Sequence, residues 1–221
     1  MKGKYLFYVV AFMAFSFVVG SCSKKDDKPS SYDDLSTNVK KIIPESTYQV
    51  MLNLGMPVYK GTNPPNIENT YLASPFVLDT SNISSDYAGK LFSDMYIKFF
   101  DQNNTNYTIK INYENGPESA SGIGGFISGD SSYFSIFAKM SVIVDGDPAD
   151  IAIVVSGKLT VNGVKDMYYA NFMLDNHGNP NGYYIDNNQG RLIYDGDGMS
   201  EITSDLGSKS TKSTGLSVNQ K

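Results

Sequence analysis

Alternating apolar residues in the middle of the chain constrain its fold more than any other feature. Between residues 134 and 144 every second side chain is apolar, and the same period of two recurs between residues 107 and 113. Successive side chains of a strand point to opposite faces of a sheet, so alternation over such lengths is a strong strand signal. The apolar positions are Phe134, Ile136, Ala138, Met140, Val142 and Val144, and Tyr107, Ile109, Ile111 and Tyr113. An all-β domain is therefore expected.

A hairpin is predicted around Asn162-Gly163, because this pair favours a two-residue type I′ turn. Placing Val161 opposite Val164 then fixes the register by counting. The resulting pairs are Gly157–Tyr168, Val155–Ala170, Ile153–Phe172 and Ile151–Leu174. Their face is almost entirely apolar and is expected to be buried, whereas the opposite face, which carries Lys158, is expected to be wet.

One helix is predicted ahead of the strands. Pro44 suits the first helical position, Gly55 can end the helix in a left-handed conformation, and Pro57 forbids its continuation. The side chains on one face of this helix are expected to pack on the sheet. That face carries Thr47, Val50, Met51 and Leu54.

The remaining strands are shorter or interrupted. They are predicted over residues 67–78, with an edge or bulge at Pro75; 95–100; 120–128, bent at Gly124-Gly125; 183–185; and 191–194. About eight strands with mostly short connections predict an antiparallel up-and-down barrel with one N-terminal helix, and a β-sandwich is the alternative.

The start of the first predicted strand carries a family resemblance. The order of a helix, the segment Ile67-Glu68-Asn69-Thr70-Tyr71 and consecutive antiparallel strands resembles lipocalin-type barrels. The first strand of those barrels carries a Gly-x-Trp motif, and this chain has Asn69 and Tyr71 at the two places. The resemblance implies a barrel with a cavity and specifies no particular ligand.

The first residues have the pattern of a bacterial lipoprotein leader. Lys2 and Lys4 precede an apolar run over residues 5–19, and Val19-Gly20-Ser21-Cys22 matches the lipobox, in which the cysteine thiol takes a diacylglycerol. An uncleaved anchor is the alternative, but its apolar run is shorter than the roughly 20 residues that span a bilayer. The chain then divides into a signal peptide (1–21), a flexible tether (22–36), one β domain with its helix (37–206) and a disordered tail (207–221).

The predicted tether also suggests a location. The run from Ser23 to Asp27, directly after the lipidated cysteine, resembles the surface-export signal of Bacteroidota lipoproteins. An outer-membrane protein on the cell surface is therefore expected, with the periplasmic face as the alternative. The membrane is its expected partner through the lipid on Cys22.

Composition excludes some functions. Cys22 is the only cysteine, so acylation leaves no thiol for disulfides, metal binding or nucleophilic chemistry. Removing Lys2 and Lys4 with the leader changes the net charge from −5 to −7. An acidic domain with no basic cluster is poorly suited to nucleic acid.

The polar residues show no pattern of a catalytic site. His177 is the only histidine and lies in a predicted loop, where it is expected to be a solvated turn residue rather than a general base. Asp166 is expected to be exposed at the rim of the sheet. The other acidic clusters lack the spacing of a calcium loop, although calcium binding stays open; they are Asp145, Asp147 and Asp150, and Asp195 and Asp197. No cofactor is predicted, and the chain is not expected to be an enzyme.

These observations favour a non-catalytic envelope module that holds a small, apolar or glycan ligand in its barrel or on the barrel rim. The candidate ligand-binding residues are Tyr168, Phe172, Phe134 and Ile136, all of which packing in a core would equally explain. A protein-interaction component of an envelope complex is the alternative, and a hydrolase is a third. An open barrel interior would favour ligand binding, and a filled one would favour interaction.

Overall fold

The computed structural model describes residues 31–204. The predicted signal peptide, the lipidation site and the predicted disordered tail lie outside these residues. The described part begins with a 3-10 helix, Tyr32–Asp34, followed by helices α1 (Thr37–Ile42) and α2 (Glu45–Asn53).

Twelve strands follow. Their bounds are β1 Thr62–Asn63, β2 Asn69–Ala73, β3 Phe76–Ser81, β4 Leu91–Phe92, β5 Met95–Asn103, β6 Thr108–Asn115, β7 Glu118–Asp130, β8 Tyr133–Val144, β9 Asp147–Leu159, β10 Gly163–Asp175, β11 Gly190–Asp195 and β12 Met199–Ile202.

The strands form an antiparallel up-and-down barrel, which confirms the predicted fold class. Strand pairing runs from β2 through β5, β6, β7, β8, β9 and β10 to β12, and β12 pairs with β2 again. Towards one end of the barrel, β10 pairs with β11, β11 pairs with β3, and β3 pairs with β4. At that end β11, β3 and β4 thus take the places of β12, β2 and β5. Each of these three pairs of segments is one barrel strand with a break, so eight strands surround the interior. The short β1 pairs with β7 in parallel, outside this ring.

Two local strand predictions were wrong, and a third was right in part. The strand predicted over 67–78 has its irregularity at Pro75, as expected, but this is a full break between β2 and β3. Residues 183–185 form an irregular loop instead of a strand. The irregularity in β7 lies at residues 121–122, where Gly122 has a φ of +67°, and not at Gly124-Gly125.

Two α-helices stand where one was predicted. Pro44 is the N-cap of α2 and precedes its first residue, and Gly55 has the expected left-handed φ of +95°. Helix α1 is too short to show a clear helical period in the sequence, but the Ser36 hydroxyl caps it by accepting from the Val39 amide. Leu35, within the predicted tether, is buried against these helices, so the folded part begins before residue 37. Within residues 31–204 no helix is long and apolar enough to cross a membrane.

The helices cover the outer face of strands β8 to β11. Thr47 and Met51 of α2 are buried, as the helical stripe predicted, while Val50 and Leu54 are half-buried. Below the helices lie outward-facing apolar side chains of the barrel wall, namely Phe137, Ala152, Val154, Ala170, Phe172 and Leu192. The wall is therefore apolar on both faces here, and the expectation of one wet face was wrong for these strands.

The predicted register of the β9–β10 hairpin was also wrong. Leu159 lies opposite Val164, and beyond a bulge Ser156 lies opposite Tyr168 and Val155 opposite Tyr169. The turn lies one residue earlier than predicted, because the Thr160 amide donates to the Gly163 carbonyl at 2.8 Å and so encloses Val161 and Asn162. The bulge lies at residues 166–167, where Asp166 takes a φ of +51°. The bulge exchanges the two faces of β10 from Tyr168 onwards relative to the prediction.

Candidate functional site

The four residues predicted to bind a ligand do not form one site. Phe134 and Ile136 are fully buried inside the barrel. Phe172 faces outwards and is buried beneath the helices, and Tyr168 lies on the same outer face, stacked on Tyr194 with ring centroids 6.0 Å apart. The register shift in β10 is the physical reason for this separation.

Apolar side chains fill most of the barrel interior. The inner cluster runs from Ile67 and Phe99 near one end to Met140 and Met173 towards the other. The latter end, here called the cavity end, is formed by the β3–β4, β6–β7, β8–β9 and β10–β11 connections. Tyr184 closes part of it, since its hydroxyl donates to the Asp147 carbonyl at 2.6 Å and accepts from the Val144 amide at 3.0 Å.

One small cavity, here called the end cavity, remains beside this closed part. Its volume is about 50 Å³. Its wall combines aromatic and apolar side chains with four polar residues and the two hydroxyls of its tyrosines. The lining residues are Phe76, Phe92, Met95, Tyr113, Asn115, Glu118, Tyr169, Asn171, Arg191 and Ile193.

A buried ion pair forms one side of the end cavity. Arg191 belongs to β11 and is only 2% exposed. Its Nε lies 2.6 Å from Asp86 Oδ2, and its Nη2 donates to Asp86 Oδ1 at 3.1 Å. Asp86 comes from the β3–β4 loop and also accepts from Lys90 Nζ and from the Ser81 hydroxyl, at 3.0 Å in each case.

These contacts determine the ionisation of Asp86. Burial alone raises its pKa, but the hydrogen bonds and positive charges of Arg191 and Lys90 outweigh burial and hold the pKa below its usual value. Asp86 is therefore an ionised partner that holds the Arg191 side chain in place.

Several polar groups of the cavity wall lack hydrogen-bond partners among residues 31–204. Arg191 Nη1 is buried and makes no hydrogen bond. The side chains of Glu118, Tyr169 and Asn171 line the same space and also make no hydrogen bond with the described residues, but Glu118 and Asn171 are only partly buried. Burial raises the pKa of Glu118 to about 7, although the Arg191 charge acts in the opposite direction. A buried guanidinium nitrogen without a partner, such as Arg191 Nη1, is unusual inside a protein, where buried polar groups are nearly always paired.

The aromatic rings hold the wall together. The Tyr169 ring lies 5.8 Å from that of Phe76 and 6.4 Å from that of Tyr113 between centroids, with edge-to-face geometry in both pairs. Burial and the nearby Glu118 charge raise the pKa of both tyrosines far above 10, so their hydroxyls stay protonated.

A second buried carboxyl lies at the break between β11 and β12. Asp195 is 1% exposed, and its Oδ2 accepts from the Ser200 hydroxyl at 2.7 Å. Its Oδ1 makes no hydrogen bond with the described part of the chain. Burial raises its pKa to about 6, and the neighbouring Asp197 charge adds to the rise. The sequence indicated Asp195 only as a member of an acidic cluster.

The other acidic residues singled out from the sequence have protein partners or face solvent. Asp147 accepts from Asn181, and Asp150 pairs with Lys139 at 2.8 Å. Asp166 is exposed, as predicted. Among the described residues, no three histidine or acidic side chains converge in a way that could hold a metal ion.

His177 lies in the loop between β10 and β11, as predicted, with its side chain partly exposed. Its Nε2 is 3.9 Å from Asp150 Oδ2, and its Nδ1 is 3.8 Å from Asp175 Oδ2. The imidazole thus lies among carboxylates on the surface, outside the end cavity.

Large apolar side chains are exposed around the cavity end. Tyr87, on the β3–β4 connection, and Leu91, in β4, are each 68% exposed, and Ile143 and Tyr183 are also exposed. Leu91 lies on the outer face of β4, next to the inward-facing Phe92 that lines the end cavity. The rim of this end is therefore partly apolar.

Sequence reasoning missed Arg191 and Glu118. One signal was present, because Arg191 starts an otherwise apolar strand in which Ile193 shares its face. A charge on the inward face of a strand is unusual and often has a function. Comparison of the chain with protein-family models, with curated proteins and with solved structures gives no match. The fold and the site thus define an all-β barrel protein with a polar cavity at one end.

Proposed function

We propose that this protein is a lipid-anchored binding module of the bacterial envelope. It receives a polar group of a small molecule or glycan in the end cavity and does not transform it. The observation that carries this proposal is the buried Arg191, whose Nη1 has no hydrogen-bond partner among residues 31–204 and which lines a cavity with three further polar side chains.

The energetic cost of leaving Arg191 Nη1 without a hydrogen-bond partner supports the proposal. A buried donor or acceptor without a partner costs about 1–3 kcal/mol, and more when it is charged. An apolar wall at this place would avoid that cost. A ligand, or ordered water that a ligand displaces, would supply the missing hydrogen bonds.

The size of the cavity limits how much of a ligand can enter. Typical sites for whole small molecules measure about 300–1,000 Å³, whereas this cavity measures about 50 Å³. Only an end group fits inside, and the rest of the ligand would lie outside the cavity, near exposed Tyr87 of the β3–β4 connection. Apolar side chains of the described residues fill the middle of the barrel. By the criterion stated from the sequence, this filling favours protein interaction, so the ligand-binding proposal rests on the end cavity alone.

The anchoring part of the proposal rests on the sequence around Cys22. The lipid would hold the domain on the outer membrane, and the charged run after Cys22 favours display on the cell surface over the periplasmic face. Replacing residues 24–27 with alanine should then hide the domain from protease added to intact cells. Unchanged protease sensitivity would argue against surface export by this segment.

Ligand retention tests the binding function. The mature protein is purified from its own host and examined by native mass spectrometry, alongside Tyr169→Phe and Tyr194→Phe. Tyr169 lines the cavity, whereas Tyr194 stacks on Tyr168 outside the barrel. We expect a bound small molecule on the wild type and on Tyr194→Phe, and less of it on Tyr169→Phe. Equal retention by both variants would contradict binding in the end cavity.

Protein interaction is a second candidate function, because four large apolar side chains are exposed at the cavity end. Under this alternative, Leu91→Asp should release a partner protein from the complex, while Tyr169→Phe should not. The hydrolase hypothesis gains no support, since Asp86, the second carboxyl beside Arg191, is held by Arg191 and Lys90.

A further inference from the structure

Charges are nearly balanced around the end cavity. The positive charges of Arg191 and Lys90 face the negative charge of Asp86. Among residues 31–204, Glu118 is the only other carboxyl at the cavity wall. Ionised Glu118 makes this group of four neutral, and protonated Glu118 leaves one net positive charge.

We propose, building on the function proposed above, that the end cavity binds a carboxylate and that Glu118 takes up one proton when it does so. The ligand carboxylate accepts a hydrogen bond from Arg191 Nη1 and another from the protonated Glu118. The proton comes from solvent, and no covalent bond forms or breaks. The bound carboxylate then replaces Glu118 as the charge that balances the cavity.

The geometry favours a carboxylate over other groups. Arg191 is held by Asp86 with Nη1 left free, and a guanidinium binds planar oxygen anions better than neutral acceptors. A cationic ligand would meet Arg191 and Lys90. Two carboxylates in contact cannot both remain ionised, so the site must take up a proton when the ligand enters.

Glu118 is the group that can take up the proton when a ligand carboxylate binds. The titratable side chains facing it are Tyr113 from β6, Tyr169 from β10 and Arg191 from β11. Burial raises the pKa of both tyrosines, and it raises the pKa of Glu118 to about 7. Behind Arg191, the pKa of Asp86 stays below its usual value. Glu118 therefore titrates near neutral pH while its neighbours keep their charge.

The test uses glucuronate and glucose as probes, because they share a sugar ring and differ in a carboxylate. Binding to the mature protein is measured by NMR titration at pH 6 and pH 8. If only the protonated site binds glucuronate, its affinity should be about tenfold weaker at pH 8 than at pH 6, given a Glu118 pKa of about 7. Glucose should bind more weakly and without this pH dependence.

Two variants separate Glu118 from other acidic groups. Glu118→Gln keeps a donor in the cavity and should bind glucuronate with equal affinity at both pH values. Glu114→Gln is the control, because Glu114 follows the inward-facing Tyr113 on β6 and so lies on the other face. It should retain the wild-type pH dependence.

Three results would overturn the inference: pH-independent binding by the wild type, an unchanged pH dependence in Glu118→Gln, or no glucuronate binding at any pH. In each case, a ligand of other chemistry retained in native mass spectrometry would leave the proposed binding function standing. If neither glucuronate binding nor any retained ligand is observed, both the carboxylate inference and the proposed binding function are wrong.

Discussion

Gly157 on β9 provides a sharp test of the barrel packing. It pairs with Phe134 of β8 and faces the turn end of β10. A Cβ added at Gly157 would lie 2.4 Å from Val164 Cγ1 and 3.5 Å from the Met167 Cα. Val164 is fully buried, so it cannot move aside freely.

The expected cost follows from these distances. Overpacking a core costs about 1–3 kcal/mol, and replacing glycine recovers about 0.4–1 kcal/mol through the unfolded chain. Gly157→Ala should therefore destabilise the domain by about 1–2 kcal/mol. Lys158→Ala, at the next and partly exposed position, should stay within about 0.5 kcal/mol of the wild type. Urea midpoints of the mature protein measure both.

A second substitution tests whether Val164 is the residue that the new methyl group at residue 157 contacts. Val164→Ala alone removes buried methyl groups and should cost roughly 2 kcal/mol. It also makes room for the new methyl at residue 157, so the double variant should be more stable than the sum predicts, by about 1 kcal/mol. Additive effects, or relief by Tyr168→Ala instead, would refute this packing and favour the register in which Tyr168 lies opposite Gly157.

Three other predictions address the anchor and the buried charges. Cys22→Ser should leave the protein unprocessed and without label from a fatty-acid analogue, and equal labelling of wild type and variant would exclude lipidation at this residue. Asp86→Asn should destabilise the domain by about 3–5 kcal/mol in urea unfolding, because it leaves Arg191 as a buried charge without its partner; a loss below 1 kcal/mol would show that water reaches Arg191. Asp195 has a pKa raised to about 6 in the fold, so its ionisation destabilises the folded state as pH rises from about 4 to 6. Asp195→Asn should accordingly raise the urea midpoint at pH 8 much more than at pH 4, and an equal change at both would contradict a buried, ionising Asp195.

The barrel class could be predicted because its strands carry strict alternation. In β8 the inward positions, from Phe134 to Val142, are buried as the period of two required. The same pattern could not show that Phe137 is also buried, because the covering helices are distant in sequence. Both faces of β9 are buried and apolar, so the alternation of its residues could not indicate which face points into the barrel.

The hairpin register failed for a local reason. Asn162-Gly163 does lie at the turn, but the loop closes between Thr160 and Gly163, and a bulge follows at Asp166. A one-residue change in register moves every following side chain to the other face. Tyr168 and Phe172 were therefore placed in the interior, and Tyr169 and Asn171, which line the end cavity, were overlooked.

The end cavity itself was beyond prediction from one sequence. Glu118, Asn171 and Arg191 lie on strands far apart in the chain, and only the closure of the barrel brings them together. Asp86 joins them from a loop whose course no periodic pattern describes. An arginine at the start of an apolar strand was the one available signal.

A crystal structure of the protein purified from its own host would test the central claim most directly. The account predicts difference density larger than a water molecule in the end cavity, within hydrogen-bonding distance of Arg191 Nη1 and Glu118. Water alone in the cavity, or a neighbouring side chain that satisfies Arg191 Nη1, would contradict a ligand site at this end of the barrel.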